Sequence, residues 1–361
     1  MSEEQQLQAI RKRIDALDEQ LQGLINQRAG LAQEVAQIKL RADPDTFFYR
    51  PEREAEVLSR IKARNQGPLG SEAMARLFRE IMSACLALEQ PLRIAFLGPE
   101  GTFTQAAALK HFGHAVTTRA FASIPDVFRE VESGECHYGV VPVENSTEGV
   151  VSHTLDRFAS SPLQICGEVT LRIHHHLMSH APNLAAITTL YSHQQSLAQC
   201  RAWLERNLHH VEQIAVGSNA EAARLAAEES SSAAIGAATA AEIYALPILA
   251  AKIEDEPDNT TRFLVIGRQQ TQPSGRDKTT LLLSTRNVAG GLHSLLEPLV
   301  RHHISMSRIE SRPSRRGNWD YIFFVDLEGH QQNPNVAAAL AILQREAQLC
   351  KVLGSYPVAV L

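Results

Sequence analysis

The sequence predicts a multidomain fold, with an all-helical segment first, an α/β region next and an α+β module last. Apolar residues between Leu7 and Ile38 recur at alternating spacings of three and four, as in helices that pack against other helices. From residue 93, short apolar runs ending in polar turns alternate with helical segments, which is typical of an α/β sheet. The last stretch follows the order βαββαβ. We expect domains over residues 1–91, 92–272 and 278–361.

Composition excludes several classes of protein. Lys and Arg number 35 and Asp and Glu 40, so the formal net charge is −5, without the basic footprint of a nucleic-acid-binding protein. A hydrophobic content of 44% excludes bulk disorder. No apolar run approaches the ~20 residues of a membrane helix, and the polar N-terminus is unlike a signal peptide. The five cysteines form no C-x-x-C pair, so we expect a reduced, cytoplasmic chain without a disulfide framework.

The N-terminal segment is predicted to be one long helix that reaches a second copy of the chain. A helix over residues 5–40 is about 50 Å long, which exceeds the width of a small globule. We therefore expect a homodimer or a higher homo-oligomer. Shorter helices are predicted from Pro51, a favoured first-turn residue, and after Ser71, which we expect to cap the helix that carries Cys85.

Arg28 occupies a seam position where the heptad favours an apolar residue. A cation there is costly unless it is paired or reaches water. Either Arg28 extends to water at the end of a bundle, or it belongs to an anion site. Lys39 favours the anion site, because eleven residues return it to within about 20° of the same face, ~16 Å along the axis. Arg11 lies ~25 Å away in the other direction, so it could serve only a partner's site.

Residues 1–90 resemble the all-helical chorismate mutases that form intertwined dimers. The matching residues are Arg11, Arg28, Lys39, Arg53 and Glu54. The resemblance implies that the cations hold the two carboxylates and the ether oxygen of chorismate, with Arg11 crossing from the other subunit and Lys39 acting in catalysis. It also implies that Glu54 binds a chorismate hydroxyl. Such a site works by holding a compact conformer and stabilising charge on the ether oxygen.

This segment departs from the mutase family in its last helix and before Arg53. The family usually offers Ser and Gln four residues apart, where this chain has Cys85 and Glu89. The spacing keeps both on one face, although Cys85 can equally be interpreted as a core cysteine. Glu89 can donate to the ether oxygen only when protonated, so we predict that it is catalytic and that mutase activity rises at acidic pH. The aspartate usual before Arg53 is absent.

The middle region is predicted to form two α/β lobes around a cleft. A strand over 93–97 runs into a glycine turn and a helix start, either an anion cradle or simply a capped turn. A strand over 138–143 ends in polar residues, and ligands of α/β sheets bind at such ends. Further strand–helix units follow, and the chain crosses back between the lobes into a last strand, with Thr261 at the crossing.

Four motifs of this region resemble those of prephenate dehydratases, in that family's order. They are Gly-Pro-x-Gly-Thr-Phe at 98–103, Val-Pro-x-Glu-Asn-Ser at 141–146, Ser-His-x-Gln at 192–195 and Thr-Arg-Phe at 261–263. The resemblance implies a fold like that of the two-lobed periplasmic binding proteins. It also implies conversion of prephenate to phenylpyruvate, CO₂ and water without a cofactor. Thr261 would be the proton donor, within a hydrogen-bonded relay because threonine is a very weak acid.

The expected prephenate contacts lie near this threonine. Arg262 is expected to clamp a carboxylate with its planar fork, the alternative being a structural salt bridge. The other pocket candidates are Thr102, Asn145, Ser146 and Thr147. We expect no metal, because the neighbouring residues His174, His175 and His176 would alternate faces in a strand and could not converge on one ion.

The C-terminal module has the ferredoxin-like order, with strands predicted over 279–285, 305–312, 319–328 and 351–355. Its exposed sheet edge predicts pairing with a second copy. A glycine-rich helix start and the end of the second strand resemble the amino-acid-binding motifs of ACT domains, which implies phenylalanine as effector; a purely structural dimerisation module is the alternative. The implied effector residues are Gly290, Gly291, Leu292, Glu310, Ser311 and Arg312.

Together the resemblances cover essentially the whole chain. They predict a bifunctional enzyme of phenylalanine biosynthesis, an isomerase and a carbon–oxygen lyase, inhibited by phenylalanine and acting on chorismate and prephenate without nucleic-acid or membrane partners. A cytoplasmic two-lobed solute-binding sensor with a dimerising helix and an ACT module is one alternative. A mutase whose dehydratase half has lost activity is another.

Overall fold

The computed structural model describes residues 2–43, 46–285, 288–313 and 321–361. The N-terminal segment is helical, as predicted, with α1 at Glu3–Ala42, α2 at Pro51–Arg64 and α3 at Ser71–Glu89. Ser2 starts α1 through a capping box with Gln5. Ser71 does not cap α3: Gly70 is the N-cap residue, and the Ser71 hydroxyl donates to the Lys62 carbonyl at the end of α2.

The middle region has the predicted two lobes. The first is a mixed sheet in the order β2-β1-β3-β11-β5, with β4 paired to β3. Its strands are β1 Arg93–Leu97, β2 Thr117–Phe121, β3 Tyr138–Asn145, β4 Gly149–Val150, β5 Gln164–Arg172 and β11 Thr260–Gly267, and its helices are α4 Phe103–Phe112, α5 Ile124–Glu132 and α6 Ser152–Phe158.

The second lobe is a sheet in the order β10-β6-β9-β7-β8. The chain enters it after β5 and leaves it before β11, so two segments cross between the lobes. Its strands are β6 His176–Ser179, β7 Thr189–His193, β8 Glu212–Val216, β9 Ser232–Gly236 and β10 Ile248–Ala250, and its helices are α7 Gln194–Gln199, α8 Arg201–Asn207, α9 Asn219–Glu228 and α10 Ala238–Ile243.

The histidine run lies in the first crossing, so its interpretation as a strand was wrong for two of its members. His174 and His175 follow the end of β5 and precede β6. The His174 ring bonds Glu254 at 2.7 Å, and the Nε2 atom of His175 bonds Gln199 at 2.8 Å. Among the residues that the structure describes, no group of three side chains is placed to hold a metal ion.

The C-terminal module has the predicted ferredoxin-like topology, with sheet order β13-β14-β12-β15. Residue 319, in the predicted third strand, lies outside the described residues. The elements are β12 Asp277–Ser284, α11 Gly291–Arg301, β13 Met306–Pro313, β14 Tyr321–Glu328, α12 Pro334–Glu346 and β15 Leu349–Pro357.

The C-terminal sheet packs face to face against the first lobe. Leu282, Phe324 and Tyr356 share one hydrophobic core with Val141 and Leu264 from the strands of that lobe. The opposite face of the C-terminal sheet is covered by α11 and α12. Burial of apolar surface from both sheets stabilises this docking.

The end of the chain reaches the N-terminal helices. Val360 and Leu361 pack against the small core that Leu58 and Ala75 form between α2 and α3. The Lys62 ammonium donates to the Val360 carbonyl at 2.8 Å. The C-terminal segment therefore joins the first and last modules directly. Within the described part of the chain, no helix is long and apolar enough to cross a membrane.

Candidate active sites

A cavity of about 400 Å³ lies among the N-terminal helices. It brings together every predicted chorismate-site residue except Arg11, which is exposed near the start of α1. Roughly 25 Å of helix separate Arg11 from Arg28, so Arg11 cannot enter this cavity from the same chain. The predicted residues that line it are Arg28, Lys39, Arg53, Glu54, Cys85 and Glu89.

Charge in this cavity is concentrated around Glu89. Burial raises the pKa of Glu89, an effect that the nearby Lys39 and Arg28 oppose. Burial lowers the pKa of Lys39, and the negative charge of Glu89 opposes that decrease. The Lys39 ammonium also donates to the carbonyl of Phe48 at 3.2 Å and lies 5.7 Å from the centre of the Phe48 ring. A carboxyl group and an ammonium group thus lie partly buried in one cavity. Hydrogen-bond donors in a partly buried site stabilise negative charge that develops on a substrate more strongly than they would in water.

Arg50 also lines this cavity, although the sequence pattern did not predict it as a site residue. It follows Tyr49, another lining residue, immediately before α2. An additional cation suits a substrate with two carboxylates. The mutase family usually has an aspartate shortly before the position of Arg53, and this chain has Arg50 in that segment instead. That difference was the signal in the sequence that could have pointed to Arg50.

Glu54 lies at the inner wall of the same cavity. Its side chain is 13% exposed and forms an ion pair with the Nε atom of Arg79 at 3.2 Å. The hydroxyl of Tyr49 donates to Glu54 at 3.5 Å. Burial raises the pKa of Glu54, and Arg79 opposes that rise. Glu54 is therefore an oriented hydrogen-bonding group at the cavity wall.

A second cavity, of about 320 Å³, lies in the cleft between the two α/β lobes. Thr102, Asn145 and Thr261 line it, as predicted. Gly101 lines it too, with φ +86° and Ala240 of the second lobe only 3.1 Å from where a Cβ atom would be. A side chain at Gly101 would therefore hold the lobes apart.

The hydroxyl of Thr261 is held by an amide. Asn145 Nδ2 donates to Thr261 Oγ1 at 2.7 Å and to Asn259 Oδ1 at 2.8 Å. The Oδ1 atom of Asn145 accepts from the backbone N–H groups of Thr147 and Glu148, at 3.0 and 3.1 Å, which determines the orientation of the amide. Because Asn145 occupies an acceptor position of the Thr261 oxygen, the hydroxyl is free to donate its own hydrogen to another group.

The hydrogen-bonded network continues from Asn259 through amides. Asn259 donates to Gln199 at 3.2 Å, and Gln199 donates to Glu148 at 3.2 Å and bonds His175. Amide side chains do not release protons at ordinary pH, so this network orients the Thr261 hydroxyl and does not supply it with a proton.

Ser146 and Thr147 do not line the cavity, contrary to expectation. The Ser146 hydroxyl accepts from the backbone N–H of Thr260 at 2.9 Å. The Thr147 hydroxyl lies 2.9 Å from the Oδ1 atoms of both Asn145 and Asn259, which share its one hydrogen as acceptors. Ser146 therefore holds the backbone at the start of β11, and Thr147 positions Asn145 and Asn259.

The predicted carboxylate clamp at Arg262 was wrong. Adjacent residues of a strand face opposite sides, and Thr261 faces the cleft, so Arg262 faces the C-terminal module. Its guanidinium bonds Glu168 at 2.9 Å, Asp326 at 2.5 Å and the Tyr356 hydroxyl at 2.9 Å. The alternative of a structural salt bridge is what the structure contains.

None of the described residues that line the cleft is Lys or Arg. Helices α4 and α9 begin there instead, with their N-cap residues Thr102 and Ser218 in the lining. The N-terminus of a helix carries partial positive charge and unpaired backbone N–H groups. The cleft can therefore attract carboxylates without a cationic side chain.

The predicted effector residues lie on α11 and on the edge strand β13. Gly290 is the N-cap of α11 with φ 81°, and Gly291 begins the helix, followed by Leu292, which is 40% exposed. Glu310, Ser311 and Arg312 lie on β13. Arg312 forms an ion pair with Asp156 of α6 at 3.1 Å.

Strand β13 also contacts the strand that carries Asn145. Arg308 forms an ion pair at 2.9 Å with Glu144, the residue before Asn145 on β3. The predicted effector strand is thus tied directly to the wall of the cleft.

Comparison with known proteins identifies the family. A bifunctional chorismate mutase/prephenate dehydratase from Stutzerimonas stutzeri is 57% identical, with 100% of both chains covered. This chain belongs to the bifunctional chorismate mutase/prephenate dehydratase family. The enzyme of that name from Pseudomonas aeruginosa is 56% identical, again over 100% of both chains. The mutase and dehydratase activities predicted from the sequence are confirmed.

Family models and a solved structure agree with this membership. The models match residues 10–90 as chorismate mutase type II, 94–271 as prephenate dehydratase and 279–344 as an ACT domain. A prephenate dehydratase from Arthrobacter aurescens, solved in complex with L-Phe, is 34% identical with a TM-score of 0.68. The alignment covers 74% of this chain and 90% of that one.

Most of the dehydratase cleft comes from residues outside the four family motifs. Gln199 and Asn259 come from the end of α7 and the second crossing, and their amides complete the network around Thr261. Ser218 and Asn219 come from the start of α9. A polar turn after each apolar strand was the available signal, but it did not distinguish these side chains from ordinary helix caps.

Proposed function

We propose that the two reactions of this bifunctional enzyme use separate cavities: chorismate is rearranged among the N-terminal helices, and prephenate is dehydrated in the cleft between the lobes. The observation that carries the dehydratase assignment is the 8% exposed Thr261, whose oxygen accepts from Asn145 while its hydrogen is free to donate. The helix N-termini that open into the cleft, whose described lining contains neither Lys nor Arg, support binding of a dicarboxylate.

In the mutase cavity, Arg28, Lys39 and Arg50 bind the carboxylates of chorismate. Lys39 and protonated Glu89 donate to the ether oxygen, where negative charge develops as the carbon–oxygen bond breaks. Arg53 of the same chain and Arg11 of the partner subunit complete the anion site. Glu54 accepts a hydrogen bond from the hydroxyl group of chorismate. Cys85 lies on the same face of α3 as Glu89. The rearrangement is intramolecular, so positioning and electrostatics supply the catalysis.

In the dehydratase cleft, the Thr261 hydroxyl donates a proton to the ring hydroxyl of prephenate, which leaves as water. The ring carboxylate leaves as CO₂, and the electron pair of its carbon–carbon bond completes the aromatic ring. Water then returns a proton to Thr261. The backbone N–H groups at the N-termini of α4, which Thr102 caps, and of α9 bind carboxylate oxygens, and Asn145 positions the donor.

The test compares Thr261→Ala with Thr261→Ser. We expect Thr261→Ala to lower the dehydratase kcat about 10²- to 10⁴-fold, and Thr261→Ser to retain far more activity because it keeps the hydroxyl. Thr260→Ala is the matched control, since the Thr260 side chain donates to the Asp258 carbonyl outside the cleft lining. Mutase activity of each variant reports the integrity of the rest of the chain. Near-normal dehydration by Thr261→Ala would contradict the assignment.

We also propose that phenylalanine inhibits the dehydratase through the ACT domain. The A. aurescens complex with L-Phe and the link from β13 to the Asn145 strand support this. The proposed contacts are Gly290, Gly291, Leu292, Glu310, Ser311 and Arg312. Titration with phenylalanine should lower the rate of prephenate consumption, with alanine as the control; an unchanged rate rejects the proposal.

We propose a homodimer for two reasons. The apolar seam of α1 is exposed, and Arg11 lies too far along α1 to reach the cavity of its own chain. A cytoplasmic location is proposed because the cysteines of the described chain are free. The proposed domain limits remain 1–91, 92–272 and 278–361, with a mutase, a dehydratase and an ACT module in that order.

A further inference from the structure

Arg79 of α3 makes contacts that neither reaction has so far used. It is 7% exposed, and its Nε atom lies 3.2 Å from a carboxylate oxygen of Glu54, an ion pair without a hydrogen bond between the two atoms. Its Nη1 atom donates to the carbonyls of Lys110, at 3.2 Å, and of His111. One guanidinium therefore joins the wall of the mutase cavity to the backbone of the dehydratase domain.

The backbone that Arg79 binds is the last turn of α4. This helix has 10 residues, so it is roughly 15 Å long. Its first residue, Phe103, and its N-cap Thr102 line the dehydratase cleft. One rigid helix thus touches the cleft with its N-terminus and the partner of Glu54 with its C-terminus.

The chemistry of this contact suits an arginine. Carbonyls at the end of a helix lack partners within the helix and attract cations. The planar guanidinium can bind a carboxylate with one nitrogen and carbonyls with another, which a lysine cannot do in the same geometry. Tyr49 provides a parallel link, because its hydroxyl lies 3.5 Å from Glu54 and 2.9 Å from the His111 ring.

We propose that Arg79 is a positioning residue of the mutase site, which orients Glu54 toward chorismate and ties that site to the helix that borders the dehydratase cleft. The proposal rests on the assignment of Glu54 to the chorismate site. The Arg79 side chain does not contact the substrate; it acts through the carboxylate that does.

The test is a double-mutant cycle in the full-length chain with Arg79→Met and Glu54→Gln. We expect Arg79→Met to lower mutase kcat/KM by about tenfold to a hundredfold, mostly in KM because a hydroxyl contact is misplaced. In the Glu54→Gln background the same change should have almost no further effect. Arg76→Met is the matched control: it removes a cation one turn earlier on α3, where Arg76 is exposed.

A partial return of activity in Arg79→Lys, which keeps the charge but not the fork, would support the role in orientation. A full additional loss when Arg79→Met is combined with Glu54→Gln overturns the proposal while leaving the Glu54 assignment intact. An unaffected mutase in Glu54→Gln overturns the assignment and the proposal together.

The link to the cleft has its own measurement on the same proteins. We expect Arg79→Met to raise the dehydratase KM for prephenate about two- to fivefold with little change in kcat, because the end of α4 loses its anchor. Glu54→Gln and Arg76→Met should leave that KM unchanged. An unchanged KM in Arg79→Met overturns the link between the sites. Circular dichroism and the retained dehydratase kcat report that the variants are folded.

Discussion

At the scale of single residues, the proposed role of Glu89 as a proton donor predicts how the mutase responds to pH. Its carboxyl group must carry a proton to donate to the ether oxygen of chorismate. Burial raises its pKa, while Lys39 and Arg28 hold that rise in check. The protonated fraction, and the activity that depends on it, is present below this pKa and is lost as the pH rises through it.

The pH prediction follows with that sign. Mutase kcat/KM should fall as the pH increases from 5 to 8, and Glu89→Gln should flatten the profile because an amide donates at every pH. At pH 8 the Gln variant should be at least as active as the parent. Steady-state chorismate consumption across this range is the measurement, with Glu80→Gln on the same helix as the control. A flat parent profile would exclude the role of Glu89 as a proton donor.

Thr261 and Arg262 show how closely two functions can adjoin in the chain. The strand places the first against the cleft and the second within the ACT interface. Their order in the Thr-Arg-Phe motif suggested a shared substrate, yet the alternation of side chains along a strand separates them. The motif therefore combines the proposed proton donor, which lines the cleft, with a residue of the docking interface.

At the scale of elements, helix α1 exposes a long row of apolar side chains to solvent. It has 40 residues, and of its described side chains Ala36 alone is buried. Exposed apolar residues repeated along a helix are costly in water and mark a surface for association. Along its seam, Leu17 is 57% exposed, Leu21 55% and Leu24 61%.

A charged seam should separate the subunits. We expect Leu17→Glu with Leu21→Glu to convert an associated chain into monomers, because each dimer would bury several unpaired carboxylates. Mutase activity should be lost, since Arg11 could no longer reach a partner, while the dehydratase reaction persists. Gln22→Glu, on the polar side of α1, is the control. Sedimentation equilibrium together with both assays measures this, and a monomer with full mutase activity would refute the shared site.

Mixing experiments test the crossing of Arg11 directly. Arg11→Ala and Arg28→Ala should each remove most mutase activity as homodimers. Co-refolded mixtures should regain part of it, because each mixed dimer holds one intact site, with Arg28 from one subunit and Arg11 from the other. No recovery in a mixture shown to contain mixed dimers would mean that both residues act within one chain.

At the scale of the whole molecule, a charged cluster lies inside the interface between the dehydratase and ACT sheets. Glu168 is 4% exposed, Asp326 2% and Tyr356 0%. Arg262 binds these three residues, and Lys278 adds a second cation on Glu168 at 2.8 Å. We expect such a cluster to favour one register of the two sheets and so to specify how the ACT domain docks against the first lobe.

Removing one member should be more harmful than removing a pair. Arg262→Met leaves Asp326 buried without its cation and should cost about 3–5 kcal/mol of stability. Adding Asp326→Asn should recover much of this loss, because the buried charge is gone. Urea unfolding of the three proteins measures both effects. The KM for prephenate should stay close to normal in Arg262→Lys; a hundredfold rise would restore the discarded carboxylate clamp.

Much of this molecule could be predicted because it depends on short stretches of sequence. The seam of α1, the glycine turn before α4 and the polar end of β3 each carry a local pattern, and local patterns predict elements and the residues at their ends. Arg28 and Lys39 could be placed together because both lie on one helix. The residues missed or misplaced, such as Arg50, Asn259 and Arg262, depend on which distant segment packs against them.

The amino-acid sequence alone was enough to predict the order of the three modules, most of the helices and strands, the cations Arg28, Lys39 and Arg53 of the mutase cavity, and Thr261 in the cleft. Periodicity and turn chemistry act over a few residues, so they can be seen in the chain. Only the tertiary structure decided that Arg262 faces the ACT domain, that Asn145 holds Thr261 and that Arg79 joins Glu54 to α4. These contacts join residues far apart in the chain, and the packing of whole elements, not the spacing of residues, determines which of them meet.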